Sequence, residues 1–188
     1  KKYTWETKQQ GAVGRFHTDD FKKLLSEIPG DIALFKEAYT KHKKLSDAVR
    51  YYVNALFGSE GLIVVDGDDQ SLKKLFIPAI EADLFEQRHK PLVDQADQAL
   101  EANGYKTQIH CRDINLFYLE DGLRSRIEKV GEKYNVVDTD ISFTETELRE
   151  LVQQSSEKFS PNVVLRPLYQ EMILPNLAYV GGPAELVY

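Results

Sequence analysis

Cysteine, methionine and tryptophan each occur once among 188 residues, the first two as Cys111 and Met172. A single thiol excludes an internal disulfide and a Cys-rich zinc site, and it fits a reducing, cytoplasmic setting. No stretch approaches the roughly 18 consecutive apolar residues of a membrane-spanning helix, and Lys1-Lys2-Tyr3-Thr4-Trp5 lacks the form of a signal peptide. A soluble protein with no membrane partner is expected. A concentrated basic face is missing as well. The formal charge is -6, and Asp and Glu are interleaved around Lys22/Lys23, Lys41/Lys43/Lys44 and Lys73/Lys74. These clusters read as solvated helix faces, and nucleic acid is not an expected partner. There are no internal repeats, no low-complexity tract and no evident interdomain linker. The chain does not begin with Met, and it stops at Glu185-Leu186-Val187-Tyr188 just as an apolar segment begins, so both ends read as cut from a longer protein.

What is there suffices for a core: 42% of residues are hydrophobic and 29% charged. Residues 4–16 read as two short extended pieces around Gln9-Gln10-Gly11, a hairpin. Thr18-Asp19-Asp20 can cap a helix whose Phe21, Leu24, Leu25 and Ile28 follow helical spacing until Pro29-Gly30. A second helical region covers about 32–57 with a break near Lys43, its buried stripe being Leu45, Val49, Tyr52, Val53 and Leu56. Gly61-Leu62-Ile63-Val64-Val65-Asp66 reads as a strand covered on both faces. Helix signals resume at Ser71 and run, with Pro78 and Pro91 as boundaries, to Asn103-Gly104. Residues 107–110 and 114–119 are strand candidates, and Glu120-Asp121-Gly122 turns the second into 123–130. Thr144-Glu145-Thr146-Glu147 is a capping box, opening a helix with Leu148, Leu151 and Val152 that ends near Phe159. The expected fold class is therefore α/β, with a β-meander or hairpin after a strand–turn–helix unit.

The stretch from Ser160 to Glu185 sets Arg, Gln, Glu, Asn and Tyr into an apolar background, where polar groups must be paired or functional. Leu177–Val180 reads as a strand, and Gly181-Gly182 as a tight turn whose amides can face a ligand before a helix begins at Pro183. Asp66-Gly67-Asp68-Asp69 could hold a metal or a ribose hydroxyl, but lacks the full calcium-loop pattern and reads better as a capped strand-to-helix turn. His110 and Cys111, adjacent on a strand, point to opposite faces and form no dyad. His17, His42 and His89 show no ligand spacing. No metal is expected.

The string LRPLYQEMILPNLAYVGGPAEL resembles the signature of the bacillithiol biosynthesis cysteine-adding enzyme family. GAVGR near the start, GLIVVDGDDQSLKKLF at 61–76, NLFYLEDGLRSRI at 115–127 and FSPNVVLRP at 159–167 resemble it in the same order. The resemblance implies a Rossmann-like core portion, similar to class I aminoacyl-tRNA synthetases, in which 1–188 form one α/β unit with a helical connecting segment at about 18–104. It also implies that the family's nucleotide-type and His-Asp-containing motifs belong before Lys1, and a dimerising coiled coil after Tyr188. The implied reaction joins the carboxyl of L-cysteine to the amine of glucosaminyl malate. A nucleotide such as ATP is the one cofactor left open for the full-length, homodimeric enzyme, and the isolated piece is expected to be inactive. Amide formation needs an activated carboxyl, an unprotonated amine and stabilisation of a tetrahedral oxyanion. Glu171 or Glu185 is the expected group to hold or deprotonate an ammonium. Arg166 suits a substrate carboxylate through its bidentate geometry. Gln170, Asn176 and Asn162 suit sugar or amino-acid groups, and Gly181 and Gly182 an anion. Each has a plainer reading: Arg166 can cap a turn or pair with Glu171, Asn176 can be a turn residue, and Tyr169 and Tyr179 suit the core. Two other functions compete, namely a non-catalytic small-molecule or nucleotide-binding module and a helical interaction domain built on 31–103.

Overall fold

The computed structural model describes residues 6–182, which hold eight α-helices and five β-strands. They form two compact units. One comprises the residues up to Asp68 with Glu120–Arg124, the other Asp69–Leu119 with the residues from Ser125 onward.

In the first unit, α1 (Phe21–Glu27), α2 (Ala33–Lys41) and α3 (Leu45–Phe57) follow the helical spacing of the sequence, and the break between the last two falls at 42–44. Ala38 and Ala48 are wholly buried. Small side chains let helix backbones approach closely, while Phe21 stacks on Tyr39 with ring centroids 4.9 Å apart and Phe35 meets Tyr52 at 5.1 Å. The expected stripe on α3 is therefore only half-buried, and Leu56 is 47% exposed. Thr18 does not cap α1: its hydroxyl donates to the His42 carbonyl at 2.6 Å. The Thr18 and Leu45 amides bond the Lys43 and Phe16 carbonyls, laying 16–18 antiparallel to 42–45.

Two expected extended segments of this unit are not strands. Of the hairpin expected at 4–16, residues 4 and 5 lie outside the described residues and 6–16 form no strand; instead Gln9 bridges the chain, its amide donating to the His17 carbonyl at 3.1 Å and accepting the His17 N–H at 2.6 Å. Gly61–Asp66 pairs with no strand among the described residues, and Leu62, Ile63 and Val65 are 46%, 82% and 40% exposed. A buried strand needs neighbours on its edges to satisfy its backbone and layers on its faces to cover its side chains. Apolar composition supplies neither.

The second unit carries α4 (Gln70–Leu75), α5 (Ile77–Glu86), α6 (His89–Ala102), α7 (Glu145–Gln154) and α8 (Arg166–Ile173). Asp69 caps α4 by accepting the Ser71 and Leu72 amides at 2.8 and 3.2 Å. Lys73, expected on a solvated face, is instead buried, its ammonium donating to the Glu157 carbonyl at 3.0 Å. The strands β1 (Leu116–Glu120), β2 (Leu123–Val130), β3 (Lys133–Val136), β4 (Ser142–Thr144) and β5 (Phe159–Pro161) form a sheet of order β4-β3-β2-β1-β5. Consecutive hairpins make the first four a meander; β5 returns antiparallel beside β1, with Leu116 opposite Pro161. Gly122, at φ +71°, takes the left-handed conformation that the β1–β2 turn requires. Ile80 and Leu84 of α5, Leu148 and Val152 of α7 and Tyr169 of α8 are buried, as are Leu116, Ile127 and Val136 of the strands, and Tyr169 meets Phe76 with ring centroids 4.8 Å apart. The expected strand at 107–110 is irregular.

Candidate functional site

Asn115, just before β1, and Asp83, on α5, are both wholly buried. A carboxylate removed from water is costly unless hydrogen-bonded, and Asp83 receives three donors. The Asn115 backbone N–H reaches Oδ2 at 2.5 Å, the Asn115 side-chain amide reaches Oδ1 at 3.2 Å, and His89 Nδ1 lies 3.1 Å from the same oxygen. The carboxylate selects the His89 tautomer with a proton on Nδ1. His89, the first residue of α6, is 14% exposed.

Asn115 uses its remaining capacity on the segments around it. Its side-chain amide also donates to the Arg112 carbonyl at 2.8 Å, and its Oδ1 accepts the Arg112 N–H at 3.0 Å and the Asn162 amide at 3.1 Å. Its carbonyl accepts the Asn162 N–H at 2.9 Å. Asn162 passes the connection to α8: its Oδ1 accepts the Val164 and Leu165 amides at 2.9 and 3.3 Å, and its carbonyl takes the Arg166 N–H at 3.0 Å. One polar chain, His89–Asp83–Asn115–Asn162, thus fixes α6, α5, β1 and the first turn of α8 to each other. Cys111 sits at its edge, Sγ 3.6 Å from Asn115 Oδ1. Burial pushes its thiol pKa up, so the nucleophilic thiolate is disfavoured at neutral pH.

In the first unit, Arg15 grips Asp68 with two bonds, Nε to Oδ2 at 2.5 Å and a terminal nitrogen to Oδ1 at 3.0 Å. The Asp68 N–H also bonds Asp66 Oδ1 at 2.9 Å, so the Asp-rich turn closes on itself and on an arginine. Among the described residues, no group of three or more His, Cys, Asp or Glu has the arrangement of a metal site.

The residues singled out from the sequence fall into three sets. Asn162 is the helix-start residue just described. Arg166 opens α8, exposed and without an ion-pair partner among the described residues; Gln170 lies one turn on along the same face, half-buried. Glu171 points about 100° away from Gln170 around the helix and accepts a bond from Asn176 Nδ2 at 2.8 Å. The structure therefore joins Glu171 to Asn176 and aligns Arg166 with Gln170, as two separate pairs. Leu177–Val180 forms no strand: Leu177 and Val180 are fully exposed, and no described strand lies alongside to pair with them. Gly181 is half-buried and Gly182 exposed; Glu185 and the helix expected from Pro183 lie outside the described residues. Tyr169 is buried, as its core reading requires, whereas Tyr179 is 50% exposed.

Sequence reasoning passed over Asp83, His89, Asn115 and Arg15. One signal was present, an acidic residue flanked by Ala82, Leu84 and Phe85 on a helix whose other acidic residues are Glu81 and Glu86. Its partners are 6 and 32 residues away, beyond the reach of any local pattern.

The whole range 1–188 matches the family described as bacillithiol biosynthesis BshC, N-terminal Rossmann-like domain. A protein of Cytophaga hutchinsonii named "Putative cysteine ligase BshC" is 50% identical over 188 residues, covering 100% of this chain and 36% of the relative. Proteins of the same name from Flavobacterium psychrophilum and Salinibacter ruber are 44% and 34% identical, covering 100% and 95% of this chain and 37% and 35% of their own lengths. The chain spans about a third of the length of these curated relatives.

Proposed function

The chain belongs to the BshC family of bacillithiol biosynthesis, matching its N-terminal Rossmann-like domain, and from that premise we propose that it serves an enzyme joining the carboxyl of L-cysteine to the amine of glucosaminyl malate. The observation that carries this reading is identity sustained over the whole chain, 50% with a relative named for cysteine ligation. The reading extends to a homodimeric, cytoplasmic full-length enzyme with small-molecule substrates, in which 1–188 act as one α/β unit. No described helix is long and apolar enough to cross a membrane.

Within the reading, α8 presents the malate-binding groups. Arg166 is exposed at the first turn of a helix that Asn162 starts and Asn115 anchors. A guanidinium held this way offers two parallel donors to a carboxylate. Gln170, on the same face, orients neighbouring hydroxyls. Glu171, kept in place by Asn176, takes the proton that the attacking amine must lose, and Glu185 and the Gly181-Gly182 amides complete the proposed set. Replacing Arg166 by Ala in the full-length enzyme is expected to raise KM for glucosaminyl malate by about tenfold or more, the worth of a charged hydrogen bond. Turnover indistinguishable from the wild type would remove Arg166 from the site. The assay, cysteine-dependent consumption of glucosaminyl malate, also tests the reaction itself.

A further inference from the structure

The polar chain from Asp83 to Asn162 carries a direction as well as a position. The oxygens of a carboxylate only accept, so the group of Asn115 that meets Asp83 Oδ1 at 3.2 Å must be its side-chain NH2. Arg112 enforces the same orientation: its carbonyl takes Asn115 Nδ2 at 2.8 Å and its N–H gives to Asn115 Oδ1 at 3.0 Å. Asn115 therefore presents an oxygen to Asn162, which must turn its own NH2 toward it, at 3.1 Å. That leaves Asn162 Oδ1 facing the other way, where it accepts the Val164 and Leu165 amides at 2.9 and 3.3 Å. Each amide orientation is set by the group before it, and the last one decides where α8 starts.

The start of the helix and its rotation together fix Arg166. Its N–H bonds the Asn162 carbonyl at 3.0 Å, which closes the first turn onto the capped residues. Leu165 and Tyr169, one turn apart on a single face, are 1% and 2% exposed, and this buried face holds the helix against rolling. Arg166 and Gln170 each follow a buried residue by one position, so both lie about 100° round from that face. Asn162 itself has Oδ1 committed to two backbone amides and Nδ2 to Asn115, which suits it to support a binding group more than to touch a substrate.

We propose that Asn162 is a positioning residue for substrate binding: the side-chain oxygen that starts α8 holds Arg166 and Gln170 ready for the malate part of the substrate, and Asn115 with Asp83 keeps that oxygen aimed. The inference rests on the role given to Arg166 under the ligase reading, and it deepens it. A first turn that frays in the free protein must be rebuilt on binding, so the affinity falls by the fraction of molecules in which it is formed.

The test is calorimetric titration of the full-length protein with glucosaminyl malate, beside its thermal unfolding and its turnover. Asn162→Ala removes both the oxygen and the NH2, and it should weaken binding about fivefold, the usual effect of losing a helix cap. Asn162→Asp keeps an oxygen for the Val164 and Leu165 amides but has no NH2 for Asn115, whose own amide cannot turn round. Both variants should therefore unfold at a lower temperature than the wild type, whereas only Asn162→Ala should bind weakly. In an Arg166→Ala background, Asn162→Ala should cost no further affinity, because it acts through the missing guanidinium. Equal losses of affinity in the two Asn162 variants overturn the proposal, as do additive losses at 162 and 166, or wild-type binding by Asn162→Ala. Turnover separates the two claims. The expected binding pattern without cysteine-dependent consumption of glucosaminyl malate sinks the ligase reading and leaves the positioning role, whereas turnover without that pattern sinks the positioning role alone.

Discussion

Asn115 is the residue whose loss the fold should feel most. Its side chain and backbone supply two of the three donors to a wholly buried carboxylate, and the same amide holds Arg112 and Asn162. Asn115→Ala keeps the backbone donor but strips the side-chain bonds from Asp83, from both Arg112 backbone groups and from Asn162. Breaking one partner away from a buried charge costs about 3–5 kcal/mol, so urea unfolding should show a loss in that range, with Asn115→Asp no better because it faces Asp83 with a second carboxylate. Cys111 makes the opposite kind of prediction. With its pKa raised chiefly by burial, it should react with a thiol-specific alkylating reagent at neutral pH more slowly than free cysteine, and Cys111→Ser should leave turnover intact. The sequence argued against a His110–Cys111 dyad from strand alternation, but the strand expected at 107–110 is irregular. It did not disclose that the neighbour that matters to the sulfur is Asn115.

At the scale of elements, α7 shows a start written in four consecutive residues. The Thr144 hydroxyl accepts the Glu147 N–H at 3.3 Å while Glu147 takes the Thr144 N–H at 2.8 Å. Thr144→Ala should destabilise the second unit by about 1 kcal/mol in denaturant titration. The Thr144 backbone hydrogen bond holds the Glu147 pKa below its ordinary 4.5. A depressed folded-state pKa means that the contribution is complete above 4.5 and is lost as the pH falls through the lower folded value. The stability gap between wild type and Glu147→Gln should therefore be present at neutral pH and close in acid; a gap that stayed constant with pH would contradict the capping geometry. Capping boxes are legible because donor and acceptor lie within one helical turn. The start of α8 was not, because Asn162 is itself held by Asn115, 47 residues earlier.

For the whole molecule, the amides of the two apolar segments should exchange with solvent very differently. Phe117 and Tyr118 lie in the ladder between β1 and β5, whereas Ile63 and Val65 are exposed and unpaired with any described strand. Hydrogen exchange should show protection at 117–118 many times that at 63–65; equal protection would mean that Gly61–Asp66 is paired after all. That segment marks the limit of reading from composition. By itself the sequence determined the helices as far as α7, breaks near Lys43 and Pro78, the Glu120–Gly122 hairpin and the α7 start, because each depends on side-chain spacing, a turn residue or a cap within a few positions; α8 it did not. The family was also legible in it, carried by ordered strings of matching residues. Only the tertiary structure decided which apolar run became a strand and which stayed in water, that Lys73 and Asp83 would be buried, and that Arg15 would be spent on Asp68. Edge pairing, desolvation and charge neutralisation each need a partner brought from far along the chain, and such partners exist only once the chain is folded.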